Sequence, residues 1–94
     1  TLAEFKRTLA EPNVKLTLIK SISPTTNDDK PHRYLNKIRS VGKIQTNGVY
    51  LVDPETKQKS WLDYGKATQW AFTDNTATFT DEYITLIYLV EKEE

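Results

Sequence analysis

The chain has 94 residues, enough for one domain and too few for two. Thirteen basic and thirteen acidic residues leave no net charge, and the absence of cysteine removes disulfides, thiolate metal sites and thiol nucleophiles. No apolar run approaches the roughly 18 residues of a membrane helix, and no apolar leader core opens the sequence, so it predicts one cytoplasmic domain over 1–94 with no membrane contact.

Thr1 with Glu4 three residues on has the capping-box pattern, and Leu2, Phe5 and Leu9 then share one face at helical spacing. A short N-terminal helix follows, stopped by Pro12 and Asn13. Val14 to Leu18 alternates apolar and polar residues, the mark of a strand with one buried face, and Ile19 and Ile22 extend it. Residues 23–33 hold two prolines and almost nothing apolar, which predicts a flexible loop.

Ile44-Gln45-Thr46, Asn47-Gly48 and Val49-Tyr50-Leu51 read as a two-residue hairpin of type I′, since Asn and Gly tolerate the positive φ that this turn requires. That register pairs Ile44 with Leu51 and puts Ile44, Val49 and Leu51 on one face, with Gly48 exposed and at positive φ. Gly42 suggests a bulge in the incoming strand. Asp53-Pro54-Glu55-Thr56 opens another turn, and Ser60-Trp61-Leu62 returns as a third strand. Leu62 to Ala67 reads as a helical turn. Trp70 to Thr73 and Thr76 to Phe79, joined through Asp74-Asn75, form a second hairpin with Trp70 across from Phe79. Tyr83 to Val90 is β-branched and aromatic on both faces, as a central strand would be.

The fold class that results is α+β: a short N-terminal helix with a mainly antiparallel, strongly curved sheet or small open barrel of about five to six strands. An ordinary two-layer sheet is the alternative.

Charge is lopsided along the chain. Residues 1–50 hold nine basic and four acidic residues, net +5, and residues 51–94 hold four and nine, net −5. Lys30, Arg33, Lys37, Arg39 and Lys43 occur with no acidic residue between them. With Tyr34 and Tyr50 they have the chemistry of a single-stranded nucleic-acid site, where cations neutralise phosphate and rings stack on bases. The plainer alternative is a solvated strand edge guarded by lysine and arginine.

The catalytic inventory is thin. His32 is the only histidine, between Pro31 and Arg33, and reads as a loop residue. Asn27-Asp28-Asp29 lacks the glycine and closing glutamate of a calcium loop. The glycines at 42, 48 and 65 are too scattered for a phosphate loop. We therefore expect no enzyme activity, no metal and no cofactor.

Trp61 and Tyr64, flanking Asp63, exceed what a turn needs, and they are the candidate surface for a protein partner. Core packing is the competing role for both. A monomer or weak dimer is expected.

Lys43 to Leu51, Ser60 to Ala67 and Trp70-Ala71-Phe72 together resemble short uncharacterised proteins of phages and mobile elements in Gram-positive bacteria. The resemblance spans roughly residues 30–80 and assigns no residue a role. It implies a small accessory domain that binds a host protein or a nucleic acid.

Overall fold

The computed structural model describes residues 1–73 and 75–93. Asp74, one of the two residues assigned to the second tight turn, lies outside them.

Helix α1 (Leu2–Leu9) begins where the cap places it: the Thr1 side chain accepts from the Glu4 backbone N–H at 3.3 Å, and Phe5 and Leu9 are the buried positions. Asn13, at φ 63°, turns the chain into the sheet. The strands are β1 (Val14–Ile22), β2 (Ile38–Ile44), β3 (Val49–Val52), β4 (Lys59–Leu62), β5 (Gln69–Phe72), β6 (Thr76–Thr80) and β7 (Thr85–Lys92). They form one antiparallel sheet in the order β4-β3-β2-β1-β7-β6-β5. That is seven strands where the sequence suggests five to six, and the sheet does not close. The two edge strands, β4 and β5, have four residues each and pair along their full length. The central placement of the C-terminal strand holds, with β7 between β1 and β6.

The sheet has to curl. Flat, seven strands spaced about 4.8 Å apart span about 29 Å. The link from Leu62 on one edge to Gln69 on the other reaches at most about 25 Å fully extended. Part of that link is a tight 3-10 turn over Tyr64–Lys66, which shortens it further. Two register shifts supply curvature, one in β1 between Leu18 and Lys20 and one in β2 between Val41 and Ile44, the second at the predicted Gly42 bulge.

On the concave face Val14, Leu16 and Leu18 of β1, Val49 and Leu51 of β3, Leu62, Ala77, Phe79 and Tyr88 form the core. Helix α1 closes one end: Phe5 stacks on Phe72 at 5.1 Å and meets Phe79 edge-on at 5.4 Å and Tyr64 at 6.4 Å. Offset-stacked and edge-on ring pairs both add to burial, the edge-on ones because a positive edge meets the negative face of its neighbour.

The hairpin at Asn47-Gly48 needs correction. Ile44 pairs with Val49, and the Gln45 N–H donates to the Gly48 carbonyl at 2.8 Å. The two turn residues are therefore Thr46 and Asn47, one position earlier than expected, and no residue of the turn has positive φ. Gly48 is buried and not exposed. Its lack of a side chain is required by the close approach of Trp61 and the Leu62 carbonyl. The expected face survives, because moving the turn by one residue moves the pairing by two: Val49 and Leu51 are buried and Ile44 packs against the core. The second hairpin keeps its register, Trp70 opposite Phe79.

Candidate functional site

The concave face carries a cleft beside the core residues Leu51, Leu62, Phe79 and Tyr88. Residues 31–34 lead into β2 and border this cleft of about 610 Å³ with Arg39, Ser60, the 63–67 turn, Asp81 and Tyr88. Its apolar wall is Leu51, Leu62, Ala67, Phe79, Ile84 and Leu86.

Arg39 dominates the chemistry. Register pairs it with the buried Leu16 across β1, so its side chain enters the concave face, and it is only 3% exposed. The guanidinium lies 4.0 Å from the Tyr34 ring centroid, a cation–π stack, and Nη1 donates to the Ser60 hydroxyl. Nε is buried with no hydrogen-bond partner. Among the described residues no carboxylate oxygen comes within 4.0 Å of its nitrogens. A cation this enclosed is costly unless something compensates it. Burial lowers its pKa, with Tyr88, Tyr34 and Asp53 opposing.

The acids nearest the cleft are already committed. Asp63 accepts from the Lys66 backbone N–H at 3.1 Å, and Asp81 accepts from those of Tyr83 and Ile84 at 2.7 and 2.9 Å. Asp53, outside the lining, has its pKa lowered by the Thr56 and Glu55 backbone donors. Each carboxylate shapes a turn and none neutralises Arg39.

His32 and Tyr88 also line the cleft. His32 has its pKa lowered first by burial and then by the Arg39 charge, and its Nδ1 accepts from the Tyr34 N–H at 3.1 Å. That fixes a neutral imidazole with the proton on Nε2. Burial pushes the Tyr88 phenol up to about 12, with Arg39 acting in the opposite direction.

Of the predicted nucleic-acid residues, Arg33, Tyr34 and Arg39 meet at the cleft, and Lys30, Lys37, Lys43 and Tyr50 are not in its lining. Arg39 is inside. Tyr34 has the Arg39 guanidinium 4.0 Å and the Arg33 guanidinium 5.4 Å from its ring centroid. The Lys30 ammonium donates to the Tyr83 carbonyl. Lys37 and Lys43 are exposed on their own segments. Tyr50 lies on the outer face of β3, 4.8 Å from the Trp61 ring with the Lys59 ammonium 6.0 Å away.

The two rings proposed for a protein partner also part company. Trp61 is 42% exposed, whereas Tyr64 is fully enclosed and donates its hydroxyl to the Gln45 carbonyl. Tyr64 also takes the Trp70 indole N–H on its own carbonyl at 3.1 Å. Alternation between Trp61 and the buried Leu62 separates the outer face from the core.

Ser60, His32 and Tyr88 were not singled out as site residues by sequence. Alternation offered one usable signal: Val41 is apolar and packs inward, so Arg39, two residues earlier in the same strand, shares its face.

Comparison with protein-family models, with curated proteins and with solved structures finds no match. Among the described residues no group of three histidine, cysteine or acidic residues is arranged to hold a metal, and no helix is long and apolar enough to cross a membrane.

Proposed function

We propose that this protein is a non-enzymatic binding module whose recognition site is the concave cleft beside Arg39. The observation that carries the reading is the enclosed guanidinium, with no carboxylate within 4.0 Å among the described residues, in a cleft that sets an apolar wall against polar and charged side chains. A scaffold that keeps such a group gains recognition from it, since replacing buried ions by apolar residues is often neutral or stabilising. The rest of the cleft suits binding: its apolar wall excludes water, and its polar rim fixes orientation. His32, with Nδ1 tied to the chain, serves as a fixed donor.

Amide NMR of the intact chain with a library of small organic ligands tests this. Ligands are expected to shift the amides of Arg39, Ser60, Leu62, Ala67 and Tyr88 together and saturably. Hits confined to other surfaces, or none, would remove the cleft as the site.

A second reading has its own observation, the Tyr50–Trp61 pair with Lys59 on the outer face. Such a platform can stack single-stranded bases. The test is quenching of Trp61 fluorescence by oligothymidine at low and moderate salt, with Trp70 replaced to isolate the signal. Salt-independent or absent quenching would discard it.

A further inference from the structure

We infer that the cleft is selective for small amphiphilic monoanions, a compact apolar body carrying one carboxylate. The inference rests on the cleft being the recognition site, and adds which chemistry it accepts.

Three features set the class. The first is charge. Arg39 is the buried cation of the cleft, and among the described residues no carboxylate oxygen lies within 4.0 Å of its nitrogens. One negative charge on the ligand balances the site. A carboxylate also matches the planar donor fork of a guanidinium. The guanidinium is held still by its stack on Tyr34 and its bond to Ser60, so little side-chain freedom is lost when an anion docks.

The second feature rejects higher charge. Asp63 and Asp81 stand among the lining residues, each with Oδ1 accepting from backbone donors. Counted over the whole lining, Arg33, Arg39 and Lys66 against Asp63 and Asp81 leave one net positive formal charge, so a monoanion balances the cleft and a dianion overbalances it. The single lysine of the lining, Lys66, is 4.0 Å from Asp63 and is largely offset by it.

The third is the wall. Ile84 and Leu86 offer half-buried hydrocarbon, backed by the buried Leu51, Leu62, Ala67 and Phe79, and none of the six carries charge. An apolar body of several carbons buries against them while its carboxylate reaches Arg39. A bare inorganic anion would leave that wall wet. A neutral lipid would leave the guanidinium uncompensated.

Octanoate, 1-octanol and octyl phosphate, each titrated into the intact chain and followed by amide NMR, separate these elements. Octanoate is expected to bind at least tenfold more tightly than octanol and more tightly than octyl phosphate above pH 8, where the phosphate is a dianion. Arg39→Met should reduce octanoate affinity at least tenfold and leave octanol affinity unchanged, with Arg39→Lys recovering part of the loss. If octanol matches octanoate, or octyl phosphate exceeds it, the monoanion assignment is wrong while the cleft remains a site. If none of the three shifts the cleft amides, both readings fall. Should Arg39→Met not fold, the ranking of the three probes on the wild-type chain decides the question alone.

Discussion

Trp61 lies across Gly48 so closely that a Cβ on Gly48 would stand 2.7 Å from the indole Cε2 and 2.5 Å from the Leu62 carbonyl oxygen. Ordinary carbon contacts need considerably more room. Gly48 has no positive φ, so its place in the fold is decided by space alone. Gly48→Ala should destabilise the domain by about 1–3 kcal/mol, the usual result of forcing extra volume into a packed region. Urea melts of Gly48→Ala and Gly48→Ala/Trp61→Ala divide the cause. Removing the indole should recover part of the loss, and the Leu62 carbonyl should retain the rest. An unchanged midpoint for the single variant contradicts the close approach.

Tyr64 ties the link between the two sheet edges to the core. Its ring meets Phe5, its hydroxyl reaches Gln45 and its carbonyl takes the Trp70 indole. Tyr64→Phe should cost about 0.5–1.5 kcal/mol, the net worth of one hydrogen bond. Tyr64→Ala should cost about 3–5 kcal/mol, as for other large buried rings. Thermal melts of the two variants check the ratio. Equal small losses would mean that the ring does not hold the curled sheet together.

Arg39 supports recognition more than stability. Arg39→Met removes a stack on Tyr34 and a bond to Ser60, and also removes the burden of an enclosed cation without a carboxylate. These effects oppose one another, and the variant's unfolding free energy should stay within about 1 kcal/mol of wild type or rise. A fall of several kcal/mol in chemical denaturation would show instead that Arg39 is a structural keystone.

His32 makes stability depend on pH in a definite direction. Its folded pKa lies below the ordinary 6.5, through burial and then Arg39. Between the folded value and 6.5 the unfolded chain binds more protons, so its contribution is fully present above pH 6.5 and declines as pH falls through the folded pKa. Denaturation at pH 7.5, 6.5 and 5.5 should show this loss in wild type and a smaller loss in His32→Gln. Identical profiles would place His32 in solvent. Tyr88 acts oppositely at the alkaline end: its raised pKa favours the neutral phenol, and that contribution is lost as pH rises from 10 toward 12.

What the sequence determined by itself was local. Alternation along Val14–Leu18 marked the buried face of β1, Thr1 and Glu4 set the helix start, and Trp70 and Phe79 met as expected. Each depends on neighbours within a few residues, where period and propensity act directly. The tertiary structure decided the rest. A basic run from 30 to 43 looks uniformly solvated until pairing with β1 turns Arg39 onto the face of Leu16. Trp61 and Tyr64 look like one patch until Leu62 packs inward and the 3-10 turn carries Tyr64 over the core. Gly48 looks like a turn glycine until β4 lays Trp61 across it. In each case the deciding neighbour is distant in sequence or set by strand register, and its position follows only once the curled sheet has formed.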